Sequence, residues 1–459
     1  MNLFDTLDNK RKNINFSENK KIKIYVCGIT PYSESHIGHA MSAVIFDTLR
    51  KYLLANKQNV IYVQNFTDID DKLIKAAEEN NSDINTISTK FINKHLSALN
   101  KLNVLKPDYS PKATEEIKEM INMIETLISK EMAYEIDGDC FFRVGNFESY
   151  GKLSKRNFDE MLAGARIEID ERKENPMDFA LWKTKTHNEP GWESPWGEGR
   201  PGWHIECSAM SMKYLGQNID IHGGGRDLIF PHHENEIAQS EAYTNNPPFS
   251  KIWMHNGLIN LKSEKMSKSL GNIITIDHLL NQFSAAAIRM FFISGNYKNP
   301  LEYNTDLIAA NERAIMRLKN TSQLKSSDNI DNLNTSVFIK NFHDAMQSDL
   351  NTSIALGTIF ELSKAINQAN TQNLNIKNAQ EDLKNLLDIL GININEDQIN
   401  EKKANFDKID ETWIRSQIEL RNEYRNSKNF SEADAIRKEL LSKGITLLDS
   451  KNGTEWTIQ

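Results

Sequence analysis

The segment from residue 21 to residue 66 constrains the fold of this 459-residue chain more than any other stretch. In "KIKIYVCG" (21–28), apolar residues alternate with polar ones up to Gly28, which is typical of a strand that ends in a turn. The apolar residues that follow recur at helical spacing, so a helix is predicted to begin near His36. "NVIYVQNF" (59–66) then predicts a second buried strand. A strand, a helix and a strand at this spacing indicate a parallel sheet whose functional loops follow the carboxyl ends of the strands.

The rest of the chain predicts an α/β protein with additional domains. Residues 1–305 are expected to form a Rossmann-like nucleotide-binding domain, and a stretch rich in Gly, Pro and Trp, from about 100 to 215, indicates an insertion into it. Amphipathic helical stretches with few glycines predict a helical bundle domain over 306–400. A small C-terminal domain is expected over 401–459.

Composition limits the location and the partners of the protein. The net charge of -8 argues against a protein coated uniformly for nucleic acid, but it leaves room for a local basic patch. No apolar run approaches the roughly 20 residues that a membrane helix needs, and the N-terminus lacks the apolar core of a signal peptide. We therefore expect a cytoplasmic protein that binds no membrane. The protein is also expected to be a monomer. Its three cysteines, Cys27, Cys140 and Cys207, are widely spaced, which favours thiols or metal ligands over disulfides.

Two short motifs predict a phosphate site. "HIGH" begins at His36, where the first strand passes into its helix, and "KMSKS" begins at Lys265, about 230 residues later. His36 and His39 at a helix N-terminus can donate hydrogen bonds to a triphosphate that the free N–H groups and the helix dipole already favour, and Gly38 belongs to the same site. Lys265 and Lys268 can close over the same phosphates and stabilise the charge that shifts toward pyrophosphate. The alternatives are helix capping or core packing for the histidines, and a solvated surface loop for the lysines.

The segment "FPHHENEIAQ" (230–239) predicts part of a metal site. His232 and Glu236 are four residues apart and fall on one face of a helix, so an imidazole and a carboxylate could share a metal. Two further ligands must come from elsewhere, and Cys27 and Cys207 are the candidates. A ligand set drawn from three distant segments is unusual for a structural zinc finger. On spacing alone, the favoured alternative is that both cysteines are buried as small hydrophobes and that His232 is a satisfied core histidine.

Longer motifs resemble one family. These motifs are "YVCGITPYSESHIGHA", "NFTDIDDK", "YGKLSKR", "NPMDFALWK", "GRPGWHIECSAM", "DIHGGGRDLIFPHHENEIAQ", "KMSKSLGN" and "EADAIRKELLSKGI". Together they resemble the cysteinyl-tRNA synthetases, a family of class I aminoacyl-tRNA synthetases, from about residue 2 to the C-terminus. The resemblance implies the class I synthetase fold. It also implies the activation of L-cysteine by ATP, with Mg²⁺, to cysteinyl-adenylate, and transfer of the cysteinyl group to the 3′ end of tRNA(Cys).

The resemblance also implies that Cys27, Cys207, His232 and Glu236 bind one zinc ion per chain in the amino-acid pocket. Serine differs from cysteine by one atom, and a pocket that relies on shape discriminates by only about 10 to 200-fold. A thiolate is a strong zinc ligand, whereas an alkoxide is much harder to form. The metal would therefore select the substrate without catalysing the reaction, and no editing domain would be needed.

The family places four further residues near the substrates. Trp203 would help to shape the pocket, with core packing as the competing interpretation. "HGGGRDLIF" would lie beside the adenosine and the aminoacyl group, which makes His222, Gly224 and Asp227 candidate contacts. For this segment the alternative is a flexible turn.

Two other patterns leave their function open. Asp68, Asp70 and Asp71 in "TDIDDK" could form a Mg²⁺ cluster, although carboxylates at a helix N-terminus are the plainer explanation. The C-terminal region would read the anticodon in the resembled family, and Trp456 could stack on a base. Its basic residues, which a solvated helix would also carry, are Arg415, Arg421, Arg425, Lys428, Arg437, Lys438 and Lys443.

Two other functions remain as alternatives on the sequence alone. A cysteine ligase acting on an amino sugar would use the same zinc and phosphate motifs, but it would not require the long basic C-terminal region. A zinc-containing RNA-binding protein without catalysis would not require intact "HIGH" and "KMSKS" motifs.

Overall fold

The computed structural model describes residues 1–14, 21–156, 170–186, 189–261, 264–265, 274–329, 331–395, 411–427, 429–442, 445–450 and 453–458. The chain divides into two compact units, Met1–Ile394 and Asn395–Gln459.

Strands and helices both occur in the described residues, and each kind is numbered along the chain. The strands are β1 (Asn2–Asp5), β2 (Lys10–Asn13), β3 (Ile22–Ile29), β4 (Val60–Phe66), β5 (Ala133–Ile136), β6 (Asp139–Phe142), β7 (Phe179–Thr184), β8 (Gly199–Pro201), β9 (Ile219–Gly225), β10 (Ser250–Asn256), β11 (Ile259–Leu261), β12 (Glu264–Lys265), β13 (Leu301–Glu302), β14 (Ile445–Ser450) and β15 (Gly453–Ile458). The helices are α1 (Ile37–Ala55), α2 (Asp71–Glu79), α3 (Ile84–Lys101), α4 (Ile117–Ser129), α5 (Trp203–Leu215), α6 (Glu234–Thr244), α7 (Ile276–Gln282), α8 (Ala285–Ile293), α9 (Thr305–Ser322), α10 (Ser336–Gln347), α11 (Thr352–Thr371), α12 (Lys377–Ile389), α13 (Glu411–Asn426) and α14 (Phe430–Ser442).

A parallel sheet of four strands, in the order β10-β9-β3-β4, lies at the centre of the first unit. Its first βαβ unit, β3-α1-β4, is the one that the apolar periodicity predicts, and the predicted α/β fold is confirmed. Strand β4 pairs with one edge of β3, and β9 pairs with the opposite edge of β3, where Tyr25 lies opposite His222. The strand order therefore reverses between β3 and β9. In open α/β sheets, ligands bind outside the carboxyl ends of the strands at such a switch point.

An antiparallel sheet, β5-β6-β7-β8, lies between the two halves of the parallel sheet in the sequence. Cys140 on β6 and Trp182 on β7 are fully buried in its core, so this cysteine packs as a hydrophobe. The Glu234 carboxylate at the start of α6 accepts hydrogen bonds from the backbone N–H groups of Gly151, Leu153 and Ser154, which joins the insertion to the nucleotide fold.

A buried ion pair joins the nucleotide fold to the helical region that follows it. Arg289 on α8 is 1% exposed, and its guanidinium pairs with the Asp47 carboxylate in the middle of α1. The same guanidinium donates to the carbonyl oxygen of Leu390, just after α12, at 2.6 Å, and to that of Leu102, just after α3, at 3.1 Å. Buried charges are tolerated when they are paired and fully hydrogen-bonded, so this residue fixes the ends of two helices against α1.

The second unit is a helical hairpin with a two-stranded sheet. Helices α13 and α14 and strand β14 share an apolar core of Ile418, Ile436, Leu440 and Leu447, and β14 pairs antiparallel with β15. The basic residues predicted on this unit include four that are exposed, Arg415, Arg425, Arg437 and Lys438, and one that is buried, Arg421. Lys428, Lys443 and the side chain of Trp456 lie outside the described part of the chain. Among the described helices, none combines the length and the apolar character needed to cross a membrane.

Candidate active site and metal centre

The site begins at the carboxyl end of β3, where the strand passes very close to β4. A Cβ on Gly28 would lie 1.6 Å from the carbonyl oxygen of Asn65, so only glycine permits this approach. The Gly28 N–H donates to the Asn65 side-chain oxygen at 2.9 Å, and the same oxygen lies 3.8 Å from the Cys207 sulfur. Sequence reasoning missed Asn65, which positions both the strand end and a cysteine.

Four predicted metal ligands meet at this strand end. The Cys27 Sγ atom lies 3.6 Å from the Cys207 Sγ, 3.5 Å from the His232 Nε2 and 3.3 Å from the Glu236 Oε1. His232 Nε2 and Glu236 Oε1, four residues apart in the chain, are 3.0 Å apart. The donor atoms of all four residues lie within 4.8 Å of one another.

The three distances from the Cys27 sulfur fit a tetrahedral zinc ion, and the 3.0 Å between His232 Nε2 and Glu236 Oε1 is slightly shorter than the ligand separation in such a site. Zinc binds sulfur at about 2.3 Å and nitrogen or oxygen at about 2.0 to 2.2 Å, so neighbouring ligands of a tetrahedral site are roughly 3.3 to 3.8 Å apart. Two cysteine sulfurs, one imidazole nitrogen and one carboxylate oxygen are a donor set that zinc accepts. Cys207, His232 and Glu236 are buried and Cys27 is partly buried, and burial of this many ionisable groups is costly without a cation. Both the geometry and the chemistry of the cluster therefore suit zinc.

The two thiols of the cluster differ in acidity. A hydrogen bond from Cys27 lowers the pKa of Cys207 to about 6, whereas burial and the neighbouring Cys207 raise the pKa of Cys27 well above its ordinary value. Burial alone would lower the pKa of His232, but the Glu236 carboxylate and Cys207 outweigh it and raise this pKa to about 10. A metal ion that binds here must displace protons from the cluster.

Two of the ligands are oriented from behind by other histidines. The Glu236 Oε2 atom lies 2.8 Å from the His222 Nε2, and His232 Nδ1 lies 3.0 Å from His204 Nδ1. Metal-binding imidazoles and carboxylates are commonly fixed by such outer hydrogen bonds, which also set the tautomer. Trp203, at the first position of α5, stacks on the His232 ring with the ring centroids 4.3 Å apart, and it is 42% exposed. A side chain with this exposure is not part of the core, so core packing, the competing interpretation of Trp203, does not apply.

A second set of donors overlaps the first. Cys27, His222, His233 and Glu236 also bring their donor atoms within 4.8 Å of one another. His233 Nε2 lies 3.3 Å from the Cys27 sulfur, and its Nδ1 lies 2.7 Å from His255 Nε2. This set has one thiol instead of two, so it suits zinc less well than the set with Cys207.

The HIGH motif forms the N-terminus of α1. His36 is the N-cap: its Nδ1 accepts a hydrogen bond from the Gly38 N–H at 3.1 Å, and its own N–H donates to the Nδ1 of His39 at 3.3 Å. Burial, with His36 nearby, lowers the pKa of His39 well below its ordinary value. A neutral ring whose Nδ1 accepts a hydrogen bond carries its proton on Nε2. Helix capping and phosphate binding are therefore compatible, because the cap leaves an Nε2–H donor.

Backbone hydrogen bonds place the chain that follows KMSKS beside the HIGH motif. The Ile37 N–H donates to the Ile274 carbonyl at 3.0 Å, and the Ile276 N–H donates to the Ser35 carbonyl at 3.1 Å. The backbone of Lys265 lies in β12, which pairs with β11. Lys268 lies in the stretch 266–273, outside the described residues.

A cavity of about 250 Å³ extends from Cys27, one of the four candidate metal ligands, to the HIGH motif. Its lining includes Cys27, His36, Gly38 and His39, together with Asp227. Further residues that line it, and that sequence reasoning missed, are Ser42, Gln64, His95 and Asn256.

Two of the predicted substrate contacts pack behind this cavity. The His222 ring is fully buried and stacks on Trp253 with centroids 4.4 Å apart, while its Nε2 faces Glu236. A Cβ on Gly224 would lie 2.8 Å from the Leu228 side chain and 3.0 Å from the His233 ring, so this glycine allows close packing around the turn.

The three aspartates of "TDIDDK" each have a separate structural partner. Asp68 accepts from the backbone and the hydroxyl of Thr114, at 2.9 and 2.6 Å. Asp70 is the N-cap of α2, and Asp71 pairs with Arg200. This arrangement matches carboxylates at a helix N-terminus, the plainer of the two interpretations.

Comparisons with known proteins identify the family of the chain. Residues 13–313 match the family of "tRNA synthetases class I (C) catalytic domain", and residues 341–395 match the DALR domain. A Cysteine--tRNA ligase of Dehalococcoides mccartyi strain BAV1 is 47% identical over 461 residues, which cover 100% of both chains. One of Geobacillus sp. strain WCH70 is 45% identical and covers 99% of this chain and 98% of its own. This chain belongs to the cysteine–tRNA ligase family.

Solved structures show the same fold at low identity. A Mycobacterium tuberculosis methionyl-tRNA synthetase in complex with methionyl-adenylate has a TM-score of 0.58 at 12% identity, over 82% of this chain and 90% of that one. A leucyl-tRNA synthetase of Agrobacterium radiobacter K84 has a TM-score of 0.59 at 11% identity, over 84% of this chain and 85% of that one. The class I synthetase fold, the ligase activity and the resemblance that the motifs predict are confirmed for this cysteine–tRNA ligase family member.

Proposed function

We propose that this chain activates L-cysteine with ATP and transfers the cysteinyl group to the 3′ end of tRNA(Cys). One observation carries the proposal: Cys27, one of the four proposed zinc ligands, lines the same cavity as His36 and His39 of the HIGH motif. A cysteine whose sulfur faces the cluster would present its carboxylate toward the phosphate-binding end of that cavity.

The amino-acid end of the cavity would select the thiol. Cys27, Cys207, His232 and Glu236 would bind one zinc ion, which supplies a soft Lewis acid that favours the sulfur of cysteine over the oxygen of serine. The stacked and partly exposed ring of Trp203 would cover His232 and shape the entrance. His222 would contribute by orienting Glu236 rather than by touching the substrate.

The phosphate end of the cavity would stabilise the transition state. The Nε2–H groups of His36 and His39 would donate to the phosphates of ATP, which binds with Mg²⁺, beside the free N–H groups of α1. Lys265 and Lys268 would close over the same phosphates. The attacking carboxylate is already ionised at neutral pH, so no side chain need remove a proton from it. The position of Asp227 on the cavity supports a contact with the nucleotide.

The C-terminal unit would bind the tRNA. In the part of this unit that the structure describes, the exposed basic side chains Arg415, Arg425, Arg437 and Lys438 suit contacts with phosphates. We also propose that the protein acts as a monomer in the cytoplasm.

Pyrophosphate exchange and tRNA charging, measured on one preparation, test the function. We expect exchange that depends on cysteine, much weaker exchange with serine, and charging of tRNA(Cys). Absence of cysteine-dependent exchange would contradict the proposal. Exchange without charging, accompanied by transfer of cysteine to an amino sugar, would support the small-molecule ligase instead.

A further inference from the structure

Two consecutive residues of α3 contact the two residues that precede the HIGH motif. His95 Nδ1 lies 2.8 Å from the Ser35 hydroxyl, and Lys94 pairs with the Glu34 carboxylate. The first contact is buried, since His95 is 4% and Ser35 is 8% exposed. The second contact is exposed at the surface, with more than two fifths of each side chain accessible. The structure thus offers a buried hydrogen bond and an exposed ion pair at the same turn.

Ser35 connects three parts of the active site. Its hydroxyl bonds to His95 on α3, its carbonyl oxygen accepts from Ile276 after the KMSKS stretch, and its backbone continues directly into His36, the N-cap of α1. A shift of Ser35 would therefore move the first imidazole of the HIGH motif together with the chain that follows residue 273.

His95 also has a defined ring environment of its own. It packs edge-on against Phe66 on β4, with centroids 6.2 Å apart, and it lines the same cavity as His36 and His39. Burial lowers the pKa of His95 to about 4, so the ring is neutral at physiological pH and its hydrogen bond to Ser35 is a neutral one. A neutral hydrogen bond between buried partners loses little to solvent or salt, which suits it to fix a position.

We infer that His95 is a positioning residue for adenylate formation, which acts through its buried hydrogen bond to Ser35 and holds His36 in register with the phosphates. The inference rests on the proposed function. His95 makes no chemical contribution of its own, and it sets the geometry that the HIGH histidines need. Misplacement of a catalytic group by about 1 Å can cost on the order of 100-fold in rate, so a modest relaxation of the turn should be measurable.

The test compares His95→Leu, Ser35→Ala, the double variant and His95→Asn in cysteine-dependent pyrophosphate exchange. His95→Leu and Ser35→Ala should each lower kcat on the order of tenfold and change the KM for cysteine by less than about twofold, because the amino-acid end is untouched. The double variant should be no slower than the slower single variant, since both changes remove one interaction. His95→Asn keeps a hydrogen-bonding group near the Nδ1 position and should recover most of the rate.

Lys94→Ala is the matched control, because it removes the adjacent exposed ion pair on the same helix. We expect less than a twofold change in kcat from it, as surface pairs contribute little. Normal kcat in His95→Leu and Ser35→Ala, with or without a lower melting temperature, would overturn the inference, as would additive losses in the double variant. An inactive wild-type chain in the same assay would instead contradict the proposed function.

Discussion

The Glu236 carboxylate lies between two histidines: its Oε2 is 2.8 Å from His222 Nε2, and its Oε1 is 3.0 Å from His232 Nε2. One oxygen therefore faces the metal cluster, while the other is fixed from behind by a fully buried imidazole. The orientation of this proposed metal ligand thus depends on a residue that lies 14 positions away in the sequence, on β9.

Removal of this outer hydrogen bond should weaken zinc binding without abolishing it. We expect His222→Ala to lower zinc affinity by about 10 to 100-fold, the usual effect of losing an outer partner of a ligand. Competition with a chromogenic chelator measures the affinity. His222→Gln, whose amide can donate to Glu236, should lie between His222→Ala and the wild type. Equal affinities in all three proteins would show that His222 does not orient the ligand.

Substitutions of Cys207 and Cys140 distinguish a zinc ligand from a cysteine that only packs in the core. The purified chain should contain about one zinc ion, and Cys207→Ser should lose most of it, because a serine hydroxyl is a poor zinc ligand at neutral pH. Cys140→Ala, in the core of the insertion, should keep its zinc. Atomic emission spectroscopy measures the metal content, and pyrophosphate exchange measures the preference for cysteine over serine. Full zinc content in Cys207→Ser would rule out the proposed ligand set.

Removal of the C-terminal unit should separate adenylate formation from tRNA charging. A chain that ends at residue 395, near the boundary between the two compact units, retains every proposed zinc and ATP ligand. We expect it to keep pyrophosphate exchange and to charge tRNA(Cys) poorly, with weakened and salt-sensitive tRNA binding, because basic side chains act through phosphate contacts. Circular dichroism first establishes that the truncated chain is folded. Undiminished charging by that folded chain would contradict the assigned role.

Burial of His95 makes the stability of the protein depend on pH. Its pKa is about 4 in the folded chain against 6.5 when unperturbed, so between these values the unfolded chain binds a proton that the folded chain does not. The stabilising effect of a neutral His95 is fully present above pH 6.5 and decreases as the pH falls toward 4, by about 3 kcal/mol in total. Denaturant unfolding from pH 7 to pH 4 should therefore show a shallower loss of stability in His95→Asn than in the wild type. Substitution of the partly buried His343 should change this slope less, and identical slopes in His95→Asn and the wild type would contradict the prediction.

The sequence predicts the features whose signals are local. Alternating and helical apolar periods predict β3, α1 and β4, and the spacing of His232 and Glu236 predicts that their side chains meet. The sequence predicts His232 and Glu236 on one helix, but α6 begins at Glu234, and His232 lies in the π-helical turn Ile229–His233, in which Phe230 is extended. That turn lets His233 as well as His232 point at Cys27, which a regular helical period does not predict.

The sequence did not predict the residues that orient the site. Asn65, His204 and His255 each act on a group that is distant in the sequence, and a single polar residue in a strand or helix has no periodic signal. Gly28 is the nearest sequence signal for Asn65. A glycine at a strand end can mark a close backbone contact, and the structure shows that the contact is with Asn65 on β4. Only the packed structure shows which polar side chains are paired across elements.

The ion pair between Asp47 and Arg289 has a consequence for synthesis of the chain. The two residues are 242 positions apart, so at about 5 to 20 residues per second a ribosome needs on the order of 10 to 50 s to add the second after the first. During this interval Asp47 would have Lys51 and the Leu105 N–H as partners but not the guanidinium, and loss of one partner of a buried ion pair costs about 3 to 5 kcal/mol. Because Arg289 also requires the carbonyl oxygen of Leu390, the nascent N-terminal half cannot complete its core until nearly the whole first unit has left the exit tunnel. A fragment that stops before α8 lacks Arg289 and should therefore be a poor choice for expression.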